Sequence, residues 1–111
     1  METGGNTGDT STTRHCFLDC ATQTGLVLEI ESGDTIGREG DVDVSGLLDS
    51  EYMSRKHARF KYKGGRWVIG NLSTKSFTYV NGAQVAAGTE VEVKDGDRVT
   101  MGTARFTFRE S

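Results

Sequence analysis

The sequence predicts an all-β fold, an antiparallel sandwich of about ten or eleven short strands, and three observations predict it. Apolar residues recur with period two in run after run, the signature of half-buried strands. The 111 residues include 15 Gly and no Pro, so every sharp reversal falls to Gly, Asn or Asp. No stretch sustains a 3.6-residue period, and the best helical candidate, residues 44–50, is too short to pack as a helix. A chain of this length makes one domain that buries roughly 60–70% of its unfolded surface.

In chain order, residues 1–13 contain no apolar residue after Met1 and are expected to be a disordered tail, leaving 14–111 as the folded domain. Cys16, Leu18 and Cys20 then alternate with Phe17 and Asp19, Leu26, Leu28 and Ile30 with Val27 and Glu29, and Ala58, Phe60 and Tyr62 with Arg59, Lys61 and Lys63. Gly64-Gly65 joins that third strand to the run Trp67-Val68-Ile69 through a two-residue hairpin that needs positive φ at both central positions. Asn81-Gly82 does the same after Thr78-Tyr79-Val80, and Asp95-Gly96-Asp97 and Gly102-Thr103 set off two closing strands, 98–101 and 104–109. Residues 45–56 and 71–77 are too long and too polar for tight turns, and long loops on a rigid β scaffold are where binding residues usually sit.

Several function classes drop out. No apolar run exceeds three residues, against the about 18–20 of a membrane span and the roughly 7–15 of a signal-peptide core. Cys16 and Cys20, the only cysteines, stand about 13 Å apart on an extended strand, beyond the roughly 7 Å limit for a disulfide, so they are expected to be reduced in a cytoplasmic protein. His15 and His57 do not complete a metal-ligand spacing, so neither metal nor cofactor is expected.

The formal charge of −3 conceals an asymmetry, because residues 51–78 hold seven Lys or Arg and one acid. Arg59, Lys61 and Lys63 alternate as the solvated face of a strand would, whereas Arg55 and Lys75 fall in loops. A positive surface on an otherwise acidic chain suits a small anionic ligand better than a nucleic-acid track, whose phosphates the acidic remainder would repel.

Four pieces carry the functional signal: Gly37-Arg38 after a strand, Ser54-Arg55-Lys56-His57, the segment Asn71-Leu72-Ser73-Thr74-Lys75-Ser76-Phe77-Thr78-Tyr79-Val80-Asn81-Gly82, and Asp95-Gly96-Asp97 with Gly102. In this order and spacing they resemble the forkhead-associated (FHA) domain over residues 16–109. The family pattern is Gly-Arg, Ser-x-x-His, a segment close to Asp-Leu-Gly-Ser-Thr-Asn-Gly-Thr-x-Val-Asn-Gly, and Asp-Gly-Asp. The resemblance implies an eleven-stranded antiparallel β-sandwich whose end loops bind phosphothreonine in a partner protein modified by an upstream Ser/Thr kinase. The residue chemistry suits that task independently: a phosphate monoester of about −1.5 to −2 charge wants a planar cationic fork with hydroxyl and backbone donors.

On the resemblance, Arg38 supplies the fork, Ser54 a hydroxyl donor, Arg55 a second contact, and Thr74 with Lys75 the pocket wall. Gly37, His57, Asn81 and Gly82 are expected to shape the loops, with Asn81 near the peptide. Ser76-Phe77 departs from the family's Asn-Gly. Ser76 can do only part of an asparagine's work, and Phe77 is expected to strain a backbone that glycine suits.

Ser54 and His57 do not read as nucleophile and base, because no acid is placed to orient the imidazole and no oxyanion motif appears. The reading is therefore a phosphothreonine-dependent binding module and not an enzyme. The alternative is a fold retained for phospho-independent contact or oligomerisation, motivated by Ser76-Phe77. Five threonines in the tail (Thr3, Thr7, Thr10, Thr12, Thr13) add the expectation that a phosphorylated tail binds the domain's own pocket or a neighbour's.

Overall fold

A computed structural model describes residues 14–42, 44, 46–47 and 50–110, so the tail expected over 1–13 lies outside the described residues. Ten strands are described: β1 (His15–Cys20), β2 (Val27–Glu31), β3 (Thr35–Ile36), β4 (Ala58–Lys63), β5 (Arg66–Asn71), β6 (Thr78–Val80), β7 (Ala83–Gln84), β8 (Glu90–Val93), β9 (Arg98–Met101) and β10 (Ala104–Glu110). This is one fewer than the eleven the resemblance implies. Strand β3 is the two-residue strand that ends before Gly37-Arg38, and β8 escapes the sequence pattern because its acids alternate with valine and it carries no aromatic residue. The only helical element among the described residues is a 3₁₀ turn at Ser50–Tyr52.

The strands form two antiparallel sheets, one of six in the order β2-β1-β10-β9-β6-β7 and one of four in the order β3-β4-β5-β8. Alternation in sequence becomes alternation between faces: Cys16, Leu18, Cys20, Phe106 and Phe108 from the larger sheet meet Phe60, Trp67 and Ile69 from the smaller. Phe108 ties the layers together, stacked on Phe60 with centroids 6.0 Å apart and edge-on to Trp67 at 6.1 Å. Each such buried aromatic contributes about 1.5–3 kcal/mol through removal from water.

Both cysteines are free and point into this core from one face of β1, and burial, with smaller contributions from Asp34 and Glu110, pushes the Cys16 thiol up to about 12. The hairpins form as the glycine pattern predicts, with positive φ at Gly64 (62°) and Gly65 (82°) and at Asn81 (51°) and Gly82 (84°).

Strand register places the long loops. Ala58 of β4 pairs with both Ile36 and Asn71, and Met101 of β9 pairs with both Thr78 and Ala104. Segments 37–57, 72–77 and 102–103 therefore leave the sandwich at one end. The outer face of the smaller sheet is charged: Lys61 (2.9 Å) and Lys63 (2.6 Å) clamp Glu90, and these two ammonium groups hold its carboxyl at about 2.

Candidate functional site

The site is built from backbone first. At the exit of β3 a Cβ on Gly37 would lie 2.3 Å from the Arg55 carbonyl oxygen and 2.7 Å from that of Ser54, so only glycine lets the two loop segments touch there. The contact is then closed by backbone bonds from Arg38 N to Ser54 O (3.1 Å) and Glu39 N to Arg55 O (2.8 Å). Asp41 staples the same turn to β3 by accepting from the Thr35 amide (2.9 Å) and hydroxyl (3.1 Å). Those two bonds, more than Lys56 and Arg59 nearby, hold its carboxyl below the usual carboxylate range.

Arg38 is thereby aimed. Its Nε donates to the Met53 carbonyl (2.8 Å), which fixes the plane of the guanidinium and leaves the terminal fork without a partner among the described residues. Arg38, Ser54, Arg55, Lys56, Leu72, Ser73, Thr74 and Lys75 line an open groove of about 390 Å³. Five of the six residues that sequence reading assigns to ligand binding thus share one groove. The sixth, Ser76, lines a neighbouring hollow of about 140 Å³ with Phe77, Gln84 and Ala87.

His57 wires the two loops together. It is fully buried; its Nδ1 accepts from the Ser54 amide (3.1 Å), so Nε2 carries the proton and donates to Thr78 Oγ1 (3.0 Å) and the Phe77 carbonyl (3.2 Å). Thr78 passes its own proton to Asn71 Oδ1 (3.0 Å), which also accepts the Ser73 amide (3.0 Å). Burial pushes the His57 imidazole down from its ordinary pKa, against a smaller opposing effect of the Phe77 carbonyl.

Sequence reading missed Ser73. It is 4% exposed, and its Oγ accepts from the Lys75 amide (3.2 Å) and the Ser76 amide (2.9 Å) while lying 2.5 Å from Ser54 Oγ. The signal available was a serine two and three residues ahead of loop amides, the spacing of a serine turn. Lys56 was missed because a charge flanked by Arg55 and His57 carries no positional mark.

Two expectations need correction. Phe77 does not sit at positive φ, so the strain expected of it is absent. The position that demands glycine is Gly102 (φ 64°), whose added Cβ would meet the Tyr52 carbonyl oxygen at 2.3 Å and whose amide donates to the Phe77 carbonyl (2.9 Å). Asn81 does not face the groove either: its Oδ1 accepts the Arg98 amide (2.9 Å), locking the hairpin beyond Val80, at the other end of β6.

A family profile described as FHA domain matches residues 35–102. The chain is 36% identical over 62 residues to Protein FraH of Nostoc sp., covering 56% of this chain and 22% of that protein. It is 33% identical over 72 residues to the glycogen accumulation regulator GarA of Mycolicibacterium smegmatis, covering 65% and 42% respectively. It therefore spans less than half the length of these curated relatives. Among solved structures, the FhaA FHA domain complexed with the intracellular domain of Rv3910 superposes with a TM-score of 0.69 at 26% identity, covering 85% of this chain and 99% of that one. An FHA domain solved in an analysis of phosphothreonine-dependent FHA domain interactions gives 0.68 at 25% identity, covering 87% and 97%.

Proposed function

The chain belongs to the forkhead-associated (FHA) domain family, and on that premise we propose that it is a phosphothreonine-dependent binding module that docks onto a partner protein once a Ser/Thr kinase has modified it. The observation that carries this reading is the groove itself, where the Arg38 fork, the Ser54 hydroxyl and the Thr74–Lys75 wall face one cavity. Solved relatives described as phosphothreonine-dependent support it. Arg38, Lys56 and Lys75 make no ion pair with a described residue, as suits side chains reserved for a dianion.

Catalysis fits poorly. The lone pair of His57 Nδ1 is spent on the Ser54 amide, and the nearest partner of Ser54 Oγ is Ser73, so no base addresses the hydroxyl. The reduced cysteines favour the cytoplasm as the place of action.

The threonine-bearing tail is a candidate ligand. It joins the domain at His15, at the end of β1 away from the groove, because Cys20 pairs with Phe106 near the groove end of β10 and Cys16 with Glu110 at the other. The seven residues of β10 alone run about 23 Å. A phosphorylated tail threonine must therefore span that length to enter its own groove, or enter the groove of a neighbouring copy.

Calorimetric titration with matched phosphothreonine, phosphoserine and unmodified peptides from an oriented library tests the function. The phosphothreonine form binds at least tenfold tighter than the others, and Arg38→Ala abolishes the difference. Equal affinity for all three forms, or a larger loss from Phe77→Ala than from Arg38→Ala, sinks the reading in favour of phospho-independent contact.

A further inference from the structure

Ser73 stands where the family pattern has glycine, and it lines the groove with only 4% of its surface exposed. Its hydroxyl has one proton and two lone pairs. The Lys75 and Ser76 amides, at 3.2 and 2.9 Å, can only donate, and they occupy both lone pairs. The proton is then left to the remaining neighbour, Ser54 Oγ at 2.5 Å. Ser54 Oγ accepts it and has no other hydrogen-bond partner among the described residues, so its own proton faces the groove.

We infer that Ser73 is a positioning residue for anion recognition: it relays the dipoles of two backbone amides through the Ser54 hydroxyl onto a phosphate held by Arg38. The inference rests on the proposed function and adds a direction to it. Without Ser73, Ser54 can rotate its proton toward any acceptor. With it, the one unspent proton of the Ser73–Ser54 pair points at the ligand before the ligand arrives, and the chain amide→Ser73→Ser54→phosphate polarises each bond in turn.

A double-mutant cycle tests this in the intact chain, using a phosphothreonine peptide selected from an oriented library. Ser73→Ala weakens binding about tenfold and Ser54→Ala by a similar factor, yet Ser73→Ala made on top of Ser54→Ala costs less than twofold, because the relay has no terminus. Ser73→Thr keeps the hydroxyl and binds within threefold of the parent; should Ser73→Ala fail to fold, Ser73→Cys, which keeps the shape and loses the strong donor, takes its place in the cycle. Phosphorus NMR of the bound peptide adds a readout that loop shape alone would not move: the second ionisation of the phosphate, near pH 6 when free, shifts down in the parent and by a smaller amount in the variant. Losses that multiply across the cycle, or a phosphate titration identical in parent and variant, overturn the relay. If the parent ignores phosphorylation altogether, the proposed function has failed rather than the relay.

Discussion

Gly37 and Gly102 each remove a Cβ that would lie 2.3 Å from a carbonyl oxygen of a different loop segment, of Arg55 in one case and Tyr52 in the other. Gly102 also holds φ at 64°, so Gly102→Ala combines a left-handed backbone with a collision and is expected to cost about 2–4 kcal/mol in urea denaturation. A loss under 0.5 kcal/mol would show that the Tyr52 loop gives way freely. His57 sets a pH dependence. Its folded pKa is depressed, so the unfolded chain binds the proton more readily, and the stability His57 contributes is complete above the unfolded value near 6.5 and is lost as pH falls below it. Unfolding free energy measured between pH 7.5 and 5 should decline in the parent, and His57→Gln should flatten the part of that decline that sets in below 6.5. Chemistry at this scale was partly legible: Arg38, Ser54 and His57 stood out by residue type and spacing. Ser73 did not, because its importance lies in which amides its oxygen meets.

Hairpins and sheets were more readable than loops, since a hairpin is fixed by two residues and a loop by everything it touches. Gly64-Gly65 and Asn81-Gly82 take the positive φ values their sequences demand. For Asn81 the side chain adds a second function, bonding the Arg98 amide at 2.9 Å and so tying β6 to β9. Asn81→Ala loses both the left-handed tolerance and the bond, an expected cost of about 1–2 kcal/mol by thermal or urea unfolding; Asn81→Gly should recover the backbone share. Strand β8 went unrecognised although Val91 and Val93 alternate with Glu90 and Glu92, because acids are poor strand formers by propensity. Its place is secured by tertiary partners instead: Glu90 by two lysines of β4, and Glu92 by Arg66 of β5 at 3.6 Å. The strain expected at Phe77 is absent because glycine at this place in the family pattern does not dictate a positive φ, and this loop does not adopt one.

Charge is organised across the whole molecule. Lys61 and Lys63 pair with Glu90, Arg66 with Glu92 and Arg109 with Asp19 away from the loops; at the groove Arg55 pairs with Glu39 at 3.7 Å, whereas Arg38, Lys56 and Lys75 have no carboxylate partner among the described residues. Sequence counting located the positive segment and could not show which of its cations are paired, because the acids that neutralise them, Glu39 in the loop after β3 and Glu90 and Glu92 of β8, lie outside the segment. Phosphopeptide affinity should therefore fall as salt rises from 50 to 500 mM, the range over which exposed charges are screened, while the midpoint of urea unfolding changes little. An affinity indifferent to salt would mean that the groove cations do not meet the phosphate.

The chain has a single tryptophan, and Trp67 is 2% exposed, edge-on to Phe108 at the start of β5, with the groove beyond that strand's other end. Its indole emission is accordingly a built-in gauge of the sandwich interior, silent to what enters the loops. The spectrum should redden sharply when the layers separate and stay still throughout a peptide titration, so one cuvette distinguishes a variant that has lost its ligand from one that has lost its fold.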